Sequence, residues 1–144
     1  MSKDKPRFVL DSFALLALFQ DEPGAAQVDE LVMKARKGQV ELVLTLINYG
    51  EVLYNIEREQ GIEQAKKTVA IIDSMPISIV AADRDLTFSA AHLKANFPMA
   101  YGDAFAAASA ASLGGSVVTG DPEFRKIESV VSVFWMREKP RHLK

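Results

Sequence analysis

The order in which short apolar runs alternate with helical periodicities restricts this chain more than any other property. Phe8-Val9-Leu10, Val40 to Leu44, Ile77 to Val80, Ser116 to Thr119 and Val130 to Trp135 have the length and apolar character of buried strands. The stretches between them carry apolar residues at helical spacing. A strand reaches a parallel neighbour only by a crossover, and a right-handed crossover needs a helix between the two. The expected fold is therefore α/β, a single domain with a mainly parallel central sheet covered by helices on both faces.

Local signals agree with that order. Asp11-Ser12 can open a helix containing Leu15, Leu16 and Phe19. Pro23-Gly24 is a turn, after which Val28, Leu31, Val32 and Ala35 repeat until Gly38. Thr45 can cap a helix through Ile47, Val52, Leu53 and Ile56 to Gly61, and Ile62, Ala65, Val69 and Ile72 mark another. Asp83 caps a helix with Leu86, Ala90 and Leu93 on one face. The chain then turns through Tyr101-Gly102 into an alanine-rich helix from Asp103 to Gly114-Gly115, and Pro122 starts a short helix. Trp135 reads as a packing residue at the core or edge.

One core suffices for 144 residues, which bury roughly 70% of the surface of the unfolded chain. No repeat or linker divides the sequence, so residues 1–136 are expected to form the domain and residues 137–144 a basic tail with four cations and one acid. Such a tail is a solvated terminus or a nucleic-acid contact. The net charge of −2 gives no global signal for nucleic acid. With no cysteine and two histidines, disulfides and thiolate sites are excluded and a metal must be held by oxygen. The charged start and the interruption at Asp11 lack a secretory pattern, and no apolar run approaches a membrane span. A cytoplasmic location is expected.

Four acids stand out by position. Asp11 and Asp121 follow strands at their carboxyl ends, Asp103 opens a helix, and Glu51 lies one to two turns into the helix after the second strand. In a parallel sheet those ends share one edge, where ligands bind. Two carboxylates about 4 Å apart repel by around 4 kcal/mol at an effective dielectric near 20, so such a cluster asks for a cation. Mg²⁺, with Mn²⁺ as a possible substitute, suits a few carboxylates completed by water and a substrate phosphate. Any one of these acids alone is explained by capping or turn formation. Ser12 and Thr119 offer hydroxyls, and Asn48 an amide one turn before Glu51, to orient carboxylates or waters. His92 and His142 are expected at the surface.

The residues around these acids resemble the motifs of PIN-domain ribonucleases, most closely the VapC toxins of prokaryotic toxin–antitoxin pairs. Phe8-Val9-Leu10-Asp11-Ser12 is similar to the opening strand, acid and hydroxyl, and Leu46-Ile47-Asn48-Tyr49-Gly50-Glu51-Val52-Leu53 to the glutamate segment. Tyr101-Gly102-Asp103-Ala104-Phe105-Ala106-Ala107-Ala108 and Val118-Thr119-Gly120-Asp121-Pro122-Glu123-Phe124 resemble the third and fourth acidic segments. Phe13 departs from the family, which commonly has a small or polar residue there. The resemblance implies a Mg²⁺-dependent endoribonuclease that hydrolyses RNA phosphodiesters with a metal-activated water. It implies Asp11 and Asp103 as principal metal ligands, completed by Glu51 and Asp121 directly or through water, with Ser12, Asn48 and Thr119 in support. It also implies a homodimer restrained by a small antitoxin protein.

The rival from another class is a non-catalytic PIN-like module that binds RNA or protein. A haloacid-dehalogenase-like phosphatase fits less well, because its second aspartate would fall where Phe13 stands. A receiver domain would want an acidic pair after the first strand and a late lysine at a strand end, and neither is visible.

Overall fold

The computed structural model describes residues 5–137, and the tail beyond Arg137 lies outside them. Its elements follow the expected order: β1 (Arg7–Leu10), α1 (Ser12–Phe19), α2 (Ala25–Arg36), β2 (Glu41–Thr45), α3 (Leu46–Gln60), α4 (Ile62–Ser74), β3 (Ile77–Val80), α5 (Arg84–Asn96), α6 (Tyr101–Leu113), β4 (Ser116–Thr119), a 3-10 turn (Pro122–Ile127) and β5 (Ser132–Trp135). The five strands form one sheet ordered β3-β2-β1-β4-β5, and every pairing is parallel.

Alternation along the strands divides the core in two. Leu10, Leu42, Leu44 and Val118 face helices α1 to α4, while Val9, Val43 and Val117 face α5, α6 and the 3-10 turn. Burial of each such side chain contributes roughly 1.5–3 kcal/mol. The alanines explain how close α6 lies to the sheet: Ala104, Ala106, Ala107, Ala108 and Ala110 are all buried. At the far end of α6, Gly114 adopts φ 66°, a left-handed cap suited to glycine. A Cβ on the next residue, Gly115, would strike the Arg7 carbonyl.

The strand order fixes where a ligand can enter. From β1 the chain steps outward through β2 and β3, then crosses by α5 and α6 to the other face and returns beside β1 as β4. Loops leaving β1 and β4 therefore part in opposite directions, which opens a crevice at the carboxyl ends of these two strands.

Some boundaries differ from the sequence reading. Helix α6 begins at Tyr101, since extended Ala100 takes the N-cap and the expected turn at Tyr101-Gly102 becomes its first helical turn. The last strand starts at Ser132 because the N–H groups of Val130 and Val131 donate to the Ile127 carbonyl and close the 3-10 turn. Trp135 is a half-buried edge residue whose indole N–H donates to Glu128 at 3.0 Å. Among the described residues no helix is long and apolar enough to cross a membrane.

Candidate metal-binding active site

Asp11 and Thr119 lie side by side at the crevice. Leu10 and Val118 are paired across β1 and β4, and the Asp11 N–H donates to the Val118 carbonyl at 3.3 Å. One Asp11 oxygen accepts from the Ala14 N–H at 2.8 Å, capping α1. The Thr119 hydroxyl bonds the Asp11 carboxyl and accepts from the Asp121 N–H at 3.0 Å, so a single buried hydroxyl joins two of the acids. Asp121 in turn accepts from the Glu123 N–H at 3.0 Å and opens the 3-10 turn.

Glu51 and Asp103 arrive from the other side. The Thr45 side chain caps α3 and its hydroxyl donates to Asn48 Oδ1 at 2.6 Å. Asn48 is wholly buried, and its amide donates to Glu51 Oε1 at 2.9 Å and to the Gly102 carbonyl at 3.0 Å. One side chain thus ties the glutamate of α3 to the first turn of α6, next to Asp103. A Cβ on Gly102 would run into the Glu51 carboxylate, so glycine there lets Glu51 lie where Asn48 holds it.

The electrostatics connect all four acids. Asp11 is 1% exposed, and burial pushes its pKa up to about 8 against the bonds from Thr119 and Ala14, with Asp103 and Asp121 adding repulsion. Half-buried Asp103 rises to about 6, first by desolvation and then by the charges of Asp121, Glu51 and Glu123. Asp103 is the hub. Every charge that moves its pKa is another carboxylate, and each favours a proton or a cation in its place.

The donor set fits a hard divalent ion by its chemistry, all carboxylate oxygen with amide and hydroxyl support. Among the described residues no three acidic or histidine side chains stand in ligating geometry around one point. The acids form an open, coupled cluster rather than a closed cage. Mg²⁺ commonly takes only one or two carboxylates and keeps several waters, so an open cluster suits it.

Of the supporting residues, Asn48 and Thr119 touch the acids they were expected to orient. Ser12 is half-buried as the first residue of α1, and the bonds that orient Asp11 come from Ala14 and Thr119 instead. Two participants escaped the sequence reading. Glu123 adds charge against Asp103 while pairing with Lys126 at 2.6 Å, and Gly102 makes room for Glu51. The glycine directly before an acid and the acid two residues after Asp121 were the available signals.

Comparison with known proteins gives a consistent result. The family model described as PIN domain matches residues 8–130. Comparison of the sequence with curated proteins returns no match. Among solved structures, VapBC2 from Rickettsia felis bound to a promoter DNA fragment superposes with TM-score 0.72 at 16% identity, covering 91% of this chain and 99% of that one. A toxin–antitoxin complex from Klebsiella pneumoniae gives TM-score 0.68 at 16% identity, with 91% and 98% covered. VapC20 from Mycobacterium tuberculosis, a sarcin-ricin loop cleaving toxin, gives TM-score 0.64 at 18% identity, with 83% and 92% covered. At these identities the likeness concerns the fold.

Proposed function

The chain belongs to the PIN domain family, and from that premise we propose that it is a Mg²⁺-dependent endoribonuclease, the toxin of a toxin–antitoxin pair. The observation that carries this reading is the coupling of Asp103 to Asp121, Glu51 and Glu123 at the strand-end crevice, beside buried Asp11. Desolvated like charges raise the free energy of the empty cluster, and a bound cation lowers it.

Asp11 and Asp103 would hold the ion, with Glu51 and Asp121 contributing directly or through water. When bound, the ion supplies activation of a water and neutralisation of charge developing on the phosphodiester. Thr119 keeps Asp11 aimed from β4, and Asn48 keeps Glu51 against the first turn of α6. The raised pKa values of Asp11 and Asp103 mean that protons would compete with an ion there, so affinity for one would rise with pH. No side-chain nucleophile is required.

The partners in this reading are an RNA substrate, a small antitoxin protein and a second copy of the chain. Exposed apolar residues at the same edge, Leu46, Ile47 and Tyr101 at the starts of α3 and α6, give a protein partner something to cover. The alternative is a non-catalytic PIN-like RNA- or protein-binding module, which draws on the open arrangement of the acids.

The test is to incubate purified protein with structured RNA and Mg²⁺ or Mn²⁺, with a chelator-treated parallel and the Asp103→Ala variant. Chelator-sensitive cleavage abolished by the substitution is expected. Equal cleavage by the variant would locate the activity elsewhere, and tight RNA binding without cleavage would favour the module.

A further inference from the structure

Next to the acids lies a cleft of about 530 Å³ between α1, the loop after β4 and the end of β5, and the acidic cluster leaves it unexplained. Phe13, Leu16, Pro23, Pro122 and Met136 supply its apolar lining. We propose that this cleft holds one unpaired nucleobase of the RNA next to the scissile phosphate, stacked on Phe13, which makes the protein selective for single-stranded or extruded nucleotides. The proposal rests on the ribonuclease reading above.

Three observations support it. The cleft and the acidic cluster share backbone: Phe13 stands two residues beyond Asp11, and Gly120 and Pro122 flank Asp121. A phosphate that a cation would bridge to Asp11 and Asp121 would thus have its attached nucleoside close to this wall. The ring is also prepared for stacking, being 43% exposed while its edge is pressed against Gly120, where a Cβ would collide with it. An aromatic platform held this way loses little entropy when a base arrives. Finally, the rim is polar: Gln20 and Glu22 offer groups for base edges, and Arg137 offers a cation for the backbone. A base brings donors and acceptors of its own to these exposed groups, of which Gln20 also donates to Glu59 at 3.3 Å. The volume falls within the ~300–1,000 Å³ of small-molecule sites.

The experiment uses single-stranded RNA oligomers carrying 2-aminopurine at successive positions, bound to the Asp103→Asn protein so that the RNA stays intact. One position should show quenched fluorescence, and the duplex form should show none. Adding Phe13→Ala should abolish the quench and weaken binding roughly 5- to 150-fold, the range for losing one base–aromatic stack. Phe13→Trp should retain both. Thermal unfolding of each variant checks that the fold survives. Unchanged binding and quench in the Phe13→Ala protein, equal affinity for duplex, or no binding of the oligomers at all would each overturn the proposal and leave the cleft to a protein segment. Chelator-sensitive cleavage by the parent protein in any of those cases shows that the pocket assignment alone failed. Absence of both binding and cleavage removes the ribonuclease reading with it.

Discussion

Replacing Asp103 by asparagine measures the strain of the empty cluster directly. Asp103 titrates near 3.8 when unfolded and at about 6 in the folded protein, raised by burial and by the charges of Asp121, Glu51 and Glu123. Between those values the native state keeps a proton that the unfolded chain has released. The associated stability is full below the unfolded pKa, declines as pH rises through the folded one, and is gone above it. At 1.36 kcal/mol per unit the full shift corresponds to roughly 3 kcal/mol, which solvent screening of a half-buried group reduces to about 1–2 kcal/mol. Asparagine keeps the shape without the charge. Urea unfolding in chelator should therefore show the variant more stable than the parent by about 1–2 kcal/mol near pH 8, with the gap closing toward about pH 4. Both proteins retain a further decline from Asp11, whose folded pKa of about 8 carries it beyond the Asp103 range, and because Asp103 adds repulsion to Asp11 the difference between the two curves reads Asp103 together with its effect on Asp11. Added Mg²⁺ should stabilise the parent and leave the variant largely unmoved at alkaline pH. A variant equally destabilised across the range would refute the account of an uncompensated carboxylate.

Gly102→Ala should keep the helical circular dichroism and reduce cleavage at least tenfold, because the added Cβ displaces Glu51 from Asn48 and from the cluster. Thr119→Val removes a bond that lowers the Asp11 pKa, so the acidic limb of the cleavage–pH profile should move to higher pH; an unmoved limb would exclude Thr119 from the titration. Tyr49→Phe serves as a control away from the site: the hydroxyl bonds Asp73 at 2.9 Å and the Val69 carbonyl at 3.3 Å, clamping α3 to α4. Its loss should lower stability by about 1 kcal/mol with cleavage unchanged, as read by urea unfolding and the RNA assay.

The sheet was legible because its strands are short, apolar and separated by helical spacing, and parallel pairing follows from that alternation. The caps at Asp11, Thr45 and Asp83 were legible for the same local reason: the side chain serves a backbone N–H three residues on. The start of α6 was not, because Ala100 caps it through backbone conformation alone and leaves no polar side chain to read. Strand order also lay outside local reasoning, since nothing in Ser116 to Thr119 states that it pairs with β1 rather than β3. In the site, Asp11 and Asp121 stand out at strand ends and Asp103 and Glu51 by their places in helices, whereas the fit of Glu51 against Gly102 depends on how closely α3 and α6 approach. Such a distance is a property of packing, and one sequence does not encode it in any single residue.

A capping aspartate and a metal-binding aspartate are usually opposed explanations, yet the role proposed for Asp11 asks the same carboxyl, which caps α1, to serve both. The bond from the Ala14 N–H fixes one oxygen, the Thr119 hydroxyl restrains the group from β4, and burial holds it to that orientation. Capping thus preorganises the carboxylate for an ion, with a helix N-terminus supplying about 0.3–1 kcal/mol toward the negative charge. That is too little to offset the burial that raises its pKa to about 8. Two substitutions separate the roles. Asp11→Ser retains a hydroxyl able to cap α1 and removes the ionisable group, while Asp11→Ala removes both. Loss of the cap alone should make the alanine variant less stable than the serine variant by about 0.5–2 kcal/mol at any pH. Cleavage and Mg²⁺-induced stabilisation should vanish in both. Serine and alanine variants of equal stability would show that α1 does not depend on this cap; Mg²⁺ stabilisation retained by either would show that Asp11 holds the helix and not the ion.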